Sequence, residues 1–359
     1  MEKLFIISNE SVFNYEENFF CDNIDLKSTP EGLSNKFEVN LIGRKSKKIR
    51  SHKINIKNIK TYRNILSYLF GVFRALKEKN SRYLIISISP FTFIACILIK
   101  LFKRKIIIYL RSDGYGEYKA IFGFFGPIIY HLMFSILSKN SSLISCREYI
   151  LKNKVGDIVA PSQITTQWLE NYKEAQTHNI KLLYVGRIKK EKGIYSLLEI
   201  IKASDLDFSL SIVGAEKNSA NLIVQDNVHV YEVENNEQNL IKLYDDHNIF
   251  VLPSYTEGHP MVLLESLSRL RPAIIFKDIE HVIGDKKGIF VCERNSDSFF
   301  KTINYIKKNY KDIQQDMKKN KLPTKEEFLE RFSELLVKWI RILGEVAEWL
   351  KAHAWKACI

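Results

Sequence analysis

Two successive series of short apolar runs, alternating with helix-length segments, constrain this chain more than any other feature. In the first series, strand-length runs stand at Lys3–Ser8, Glu38–Ile42, Tyr83–Ser89 and Lys105–Leu110, with helix-length segments at Tyr62–Lys79 and Phe91–Phe102. In the second, strands are expected at Leu182–Val185, Phe208–Val213, Ile249–Leu252 and Ala273–Phe276, and helices at Ile194–Ala203, Glu237–Asp246 and Pro260–Leu270. Strands that are apolar at every position, rather than at alternate ones, belong to parallel sheets covered by helices on both faces. The prediction is α/β: two Rossmann-like domains in tandem, with ligands beyond the carboxyl ends of the strands. The 359 residues suffice for two cores. The hinge is placed near Asp157–His178, where a polar stretch precedes the second series, so the domains are expected at 1–160 and 161–323.

Charge separates the halves. The net charge is +13, yet residues 1–160 hold 26 Lys and Arg against 13 Asp and Glu, while residues 161–359 hold 28 of each. The densest basic piece runs from Arg44 through Lys45, Lys47, Lys48 and Arg50 to Lys60. Such a patch suits a solvated loop, an anionic membrane surface or nucleic acid, and no nucleic-acid recognition motif accompanies it. Nucleic acid is therefore not expected as a partner. The uncharged stretch Ala120–Ser138 is broken by Gly123, Gly126 and Pro127, which favours a buried or interfacial helix over a membrane span. Its Phe122, Phe124 and Phe125 are the expected interfacial contacts. Cys21, Cys96, Cys146, Cys292 and Cys358 form no CxxC pair, and Met1–Lys3 leads straight into a strand. A cytoplasmic protein with neither zinc nor disulfides is expected.

Two loops of the second series carry chemistry. In Leu252-Pro253-Ser254-Tyr255-Thr256-Glu257-Gly258-His259-Pro260, a buried strand ends, a carboxylate comes next, and Pro260 stands where a helix accepts it. Glu265 lies about 1.5 turns further along that helix. Backbone N–H groups of Gly258 and His259 at its start suit an anionic group. Either acid alone would read as helix-dipole stabilisation or a solvated side chain. The other loop, Val185-Gly186-Arg187-Ile188-Lys189-Lys190-Glu191-Lys192-Gly193, puts Arg187 and Lys192 at a strand's carboxyl end. Fixed cations there could stabilise a departing diphosphate, although a Lys-rich surface loop would look the same in isolation.

These motifs, Gly-Arg-x(4)-Lys-Gly and Pro-Ser-x-x-Glu-Gly-x-Pro-x(4)-Glu, resemble the C-terminal half of the family 4 glycosyltransferases, the group-1 family of retaining GT-B enzymes. The resemblance extends over roughly Lys181–Val291. It implies a GT-B fold with two parallel sheets facing across a cleft, and a bacterial transferase of the EC 2.4 type acting in polysaccharide biosynthesis. Gly186, Arg187 and Lys192 would then bind the donor's diphosphate, Glu265 its ribose, and Glu257 its sugar, with Gly258 and His259 alongside. No metal and no cofactor is implied beyond the nucleotide-sugar donor. Asp205-Leu206-Asp207 precedes a strand rather than coming after one, which is the wrong side for a metal motif. The chain departs from the pattern at Leu270, where a small residue is usual, and at Phe276–Glu280, where a Gly-Gly loop is usual. It also lacks an N-terminal Gly-rich loop: Ser8-Asn9-Glu10-Ser11 is expected after the first strand.

In the first domain, Arg111-Ser112-Asp113-Gly114 comes directly after a strand. The resemblance implies that Asp113 orients the acceptor hydroxyl and that Arg111 lies beside the phosphates; an Asp-Gly turn is the alternative. The helix at 324–343 is implied to pack back on the first domain. A glycan or lipid-linked acceptor at the inner face of the membrane is the expected setting. A GT-B sugar-nucleotide epimerase and a catalytically silent partner subunit are the rival readings. Residues 344–359 resemble the translation of the 5′ half of a serine tRNA gene, as if the reading frame ran into one, and could alternatively form an amphipathic helix.

Overall fold

The computed structural model describes residues 1–78, 80–175, 177–202, 207–215 and 226–354, with side chains through Trp339. The chain forms two compact units, Met1–Pro161 with Glu326–Ile359, and Ser162–Lys325.

Unit 1 contains β1 (Glu2–Tyr15), β2 (Asn18–Cys21), α1 (Ile24–Leu33), β3 (Phe37–Ser46), β4 (His52–Ile54), β5 (Asn58–Tyr62) and α2 (Ile65–Leu76). It continues with β6 (Ser81–Ile86), α3 (Pro90–Leu101), β7 (Ile106–Leu110), α4 (Gly114–Phe122), α5 (Gly126–Ser138), β8 (Ser142–Ser145) and β9 (Asp157–Ile158). β5, β3, β1, β6, β7, β8 and β9 pair in parallel in that order. Their apolar runs explain this: every residue of Ile106–Leu110 is buried, which requires cover on both faces. α2, α3, α4 and α5 cover one face through Tyr68, Val72, Ala95, Ile99, Tyr118 and Phe134. α1 covers the other, together with Phe328, Phe332, Leu335 and Leu336 of α12 (Lys325–Ala354). The helices α2 and α3 start where the sequence supplies caps: Asn64 with Ser67, and Ser89 with Thr92, form reciprocal capping boxes. Each side-chain cap contributes about 1 kcal/mol.

The first strand does not end at Ser8. It slips register against β3 between Ile7 and Ser11 and runs on to Tyr15. There it turns through Glu16 and Glu17, both at positive φ, into antiparallel β2, which pairs in turn with β4. Turns of this kind usually announce themselves with Asn-Gly, so Glu-Glu hid the hairpin. Cys21, Cys96, Cys146 and Cys292 are buried free thiols, and burial pushes each up to about 12.

Unit 2 contains α6 (Thr166–Leu169), β10 (Ile180–Val185), α7 (Ile194–Lys202), β11 (Phe208–Ala215), β12 (Val228–Glu232) and α8 (Glu237–Asp246). After these come β13 (Ile249–Leu252), α9 (Met261–Ser268), β14 (Ala273–Phe276), β15 (Ile289–Cys292), α10 (Ser296–Lys308) and α11 (Tyr310–Met317). The six strands are all parallel, in the order β12-β11-β10-β13-β14-β15. A buried ionic cluster ties α8 and α9 to the segment after α6. Arg269 grips Asp245 bidentately at 2.9 and 2.8 Å, and its other N–H groups donate to the carbonyls of Trp168, Glu170 and Asn171. Between Arg269 and Arg271, Leu270 adopts φ +53°. Its side chain is buried in the core below the sheet, so the departure at Leu270 concerns the end of α9. A glycine there would relieve the backbone but leave a core void.

Candidate active site

In unit 2 the strands β10, β13 and β15 deliver their loops to one place. β10 leads into the turn Lys190–Lys192, and Gly193 then reverses the chain at φ +67° into α7. A Cβ on Gly193 would stand 1.9 Å from the Pro253 carbonyl oxygen, so only glycine lets this loop lie against the loop after β13. The backbone joins them as well: Tyr255 N–H donates to Glu191 O at 3.0 Å. The result is a convergence of charge. Lys192 Nζ donates to Glu257 Oε1 at 2.7 Å, and Ser254 Oγ donates to the same oxygen at 2.6 Å. Both partners are largely withdrawn from solvent, with side chains 22% and 11% exposed, so the pair is firmer than a surface ion pair.

Glu265 lies one stretch of helix away on α9. Its carboxyl group faces inward, where Tyr244 Oη–H donates to Oε2 at 2.9 Å. Burial, offset in part by the Tyr244 hydrogen bond and reinforced by Glu237, pushes this carboxyl up to about 7. Arg187 is exposed, with its carbonyl accepting from Tyr184 Oη–H at 2.9 Å. Gly186 N–H is bound to Val213 O at 2.9 Å, and Gly258 and His259 are partly buried at the start of α9. Lys192 and Glu257 are thus in direct contact, Glu265 stands on the helix that comes after the Glu257 loop, and Arg187 is exposed on the loop that carries Lys192.

Motif spacing passes over Arg294. Its guanidinium donates to Pro253 O and Ser196 Oγ, both at 2.9 Å, pairs with Asp278 at 2.7 Å, and lies 4.0 Å from the Tyr255 ring centroid. It therefore clamps the backbone of the loop that carries Glu257. His281 adds a contact between Nε2 and Glu257 O at 2.8 Å. The Phe276–Glu280 stretch, which replaces the expected Gly-Gly loop, forms a 3-10 turn (Lys277–Val282) that brings Asp278 and His281 to this loop. Arg294 was legible in principle, since it stands two residues beyond β15, at a carboxyl end.

In unit 1, Arg111 and Asp113 come after β7. Arg111 donates to Asn23 Oδ1 at 3.1 Å and lies 3.8 Å from Glu10 and 3.9 Å from Asp25. Burial works against its charge, and Asp25 and Glu10 more than restore it, so it stays firmly protonated. The guanidinium expected beside phosphates is thus matched by carboxylates of its own unit. Asp113 is the N-cap of α4, with Oδ1 accepting from Tyr115 N–H at 3.1 Å. Glu117, one turn on, is raised from the usual carboxylate range by burial, against a Ser112 hydrogen bond and Arg111. Glu10, Asp25 and Glu117 complete a polar cluster of which the sequence singled out only Arg111 and Asp113. Among the described residues, no three His, Cys, Asp or Glu side chains converge on one point. Asp205 and Leu206 of the Asp-Leu-Asp run lie outside those residues.

The two tandem parallel sheets give the chain the GT-B architecture. The family model for glycosyl transferases group 1 matches residues 169–322, which lie wholly within unit 2. A Haemophilus influenzae protein described as an uncharacterized glycosyltransferase is 28% identical over 158 residues, 40% of this chain and 44% of its own. The capsular polysaccharide biosynthesis glycosyltransferase CapM of Staphylococcus aureus is 27% identical over 135 residues, covering 34% of this chain and 35% of CapM. This chain therefore spans less than half the length of these curated relatives. Among solved structures, Anabaena HepE in complex with UDP and glucose superposes with a TM-score of 0.69 at 10% identity, over 94% of this chain and all of that one. That likeness concerns the fold.

Proposed function

We propose that the protein is a glycosyltransferase that takes a sugar from a nucleoside diphosphate donor bound by unit 2. The observation that carries this reading is the Lys192–Glu257 pair, assembled from two strand-end loops, with the half-buried Glu265 on the next helix, inside the region matched by the glycosyl transferases group 1 family. Lys192 and Arg187 supply positive charge to the diphosphate as it leaves. Glu265 accepts hydrogen bonds from the ribose hydroxyls, and Glu257 meets the sugar while holding Lys192 in place. The match to transferases supports transfer over epimerisation.

The proposal extends to retention without a metal. The bond from the anomeric carbon to the diphosphate oxygen breaks, and its electrons stay on that oxygen. The oxygen then takes the acceptor's hydroxyl proton while the new bond forms on the same face. The protein's share is positioning. Asp113 orients the acceptor hydroxyl. Arg111 holds Asn23, Glu10 and Asp25 in register rather than binding phosphate. The acceptor is a glycan or a lipid-linked glycan at the cytoplasmic face of a membrane.

The test is turnover with a panel of UDP-, GDP- and ADP-sugars and a bacterial lipid-linked glycan extract, reading nucleoside diphosphate release. Release that depends on acceptor, with the product's anomeric configuration matching the donor's by NMR, is expected. Free epimer without acceptor would overturn the reading.

A further inference from the structure

The outer surface of the α2–α5 layer in unit 1 is apolar where a helical layer facing water would be polar. Gly114–Ser138 is, among the described residues, the one helical segment long and apolar enough to cross a membrane, and only 28% of its most apolar window is buried. It does not form one span. Gly123, at φ +60°, breaks the helix, and Gly126 packs so closely on α4 that a Cβ there would lie 1.9 Å from Tyr118 O. The 13 residues of α5 reach about 20 Å, short of a hydrocarbon core of about 30 Å. One side of the α4–α5 pair, with Tyr118, Tyr130 and Phe134, is fixed to the sheet. The other presents Ile121, Phe122, Phe124, Phe125, Ile128 and Leu132, each at least half exposed. α3 is tied to α5 by Lys100, whose Nζ donates to Leu137 O at 2.9 Å. Through α2 and α3 the apolar surface continues to Leu66, Phe70 and Leu101, which line an open groove.

The charge bordering this surface is mostly positive. α2, α3 and α5 contain no Asp or Glu, and the exposed charges bordering the layer include Arg74, Lys103, Lys119 and Lys139. Two exposed acids border it and both have partners: Glu117 of α4 bonds to Ser112 near Arg111, and Glu78, just after α2, pairs with Lys3 at 2.8 Å. We infer that this layer is a docking face for an anionic lipid bilayer, with the phenylalanines in the interface and the cations among the headgroups. A second copy of the chain fits poorly, because a shared apolar face would bring the same cations together. The basic run from Arg44 is a weaker candidate: Arg44 stacks on Phe91 at 4.8 Å, and Arg50 is bound to Asp22 and Ser46. The inference stands apart from the transferase reading, because lipid binding needs neither donor nor acceptor.

The test is sedimentation of the full chain with vesicles of phosphatidylglycerol or of phosphatidylcholine. Binding at least about tenfold tighter to phosphatidylglycerol is expected, with most of it lost in about 1 M NaCl. The triple variant Phe124→Ser, Phe125→Ser, Leu132→Ser should lose binding to both lipids about tenfold or more; all three residues are exposed, so the fold is untouched. The triple variant Lys103→Glu, Lys119→Glu, Lys139→Glu should lose the phosphatidylglycerol preference. In the unaltered chain, amide exchange over 119–132 should slow on vesicles. Equal binding to both lipids, or loss confined to a Lys45→Glu, Lys47→Glu, Lys48→Glu variant, would overturn the inference. So would a dimer in light scattering that the Phe124→Ser set dissolves, with no vesicle binding.

Discussion

The two units share one plan, parallel strands between helical layers, and differ in the loops at their strand ends. In unit 2, β10, β13 and β15 open directly into loops bearing Lys192, Glu257 and Arg294, and these loops hold one another. In unit 1, β1 runs past its neighbours into a hairpin, and the charges after β7 are matched by Glu10 and Asp25 of the same unit. The same scaffold thus carries in one half a one-to-one ion pair, with the exposed Arg187 in the same loop as Lys192, and in the other a guanidinium flanked by two carboxylates. A sheet of this kind dictates where a ligand can bind; the loops decide whether charge there is free to meet it.

The largest effect is expected where the comparison is sharpest. Lys192→Ala should lower transfer about 10²–10³-fold, the range for losing one preorganised charge-stabilising group, with circular dichroism unchanged. The change Arg111→Lys should leave steady-state turnover within about tenfold, because Arg111 faces two carboxylates, Glu10 and Asp25, where Lys192 faces one. Equal losses in the two variants would erase the proposed difference between the halves.

Glu265 sharpens the contrast through pH. Its folded carboxyl titrates near 7, above the unfolded value, so the folded state holds the extra proton between those values. Stability is therefore fully present below the unfolded value and falls as pH rises through 7. Glu265→Gln should raise the urea midpoint at pH 8, by up to about 3 kcal/mol in stability, and leave it unchanged at pH 4. Donor binding should weaken in the same variant, about tenfold or more, because a neutral amide replaces the charged acceptor proposed for the ribose hydroxyls. In the unaltered chain, donor affinity should fall as pH drops below 7.

Asp113 tests the unit 1 assignment with a smaller effect. Asp113→Asn keeps the N-cap of α4 and should cost little stability, whereas Asp113→Ala should cost about 1 kcal/mol in thermal unfolding. If Asp113 also orients the acceptor, the Asn variant should raise the acceptor's KM or lower kcat while donor binding holds. Full activity in the Asn variant would leave only the cap. The smallest effect belongs to the tail. Ending the chain at Leu343 keeps Phe328, Phe332 and the Trp339–Asp157 hydrogen bond, so melting temperature and turnover should not change.

The legibility of the sequence split along the same division. Unbroken apolar runs marked β10, β11, β13, β14 and β7, and the spacing of Glu257 and Glu265 from Pro260 placed the two acids on a loop and the helix after it. Spacing could not show that Ser254 and Lys192 share one oxygen of Glu257, because 65 residues separate the two loops. Nor could it show Arg294, whose role depends on carbonyls rather than on a motif. The hairpin after β1 stayed hidden because its turn lacks glycine, and the uncharged stretch 120–138 looked like one helix although two glycines fold it into two.

The central claim is that unit 2 holds a nucleoside diphosphate through Arg187 and Lys192. Calorimetric titration of the full chain with UDP, GDP and ADP, and of the Arg187→Ala, Lys192→Ala double variant, tests it most directly. One nucleotide should bind the unaltered chain and lose at least about a hundredfold in affinity in the double variant, as expected when two charge-assisted contacts go. Undiminished binding in the double variant, or no binding of any diphosphate to the unaltered chain, would contradict the account.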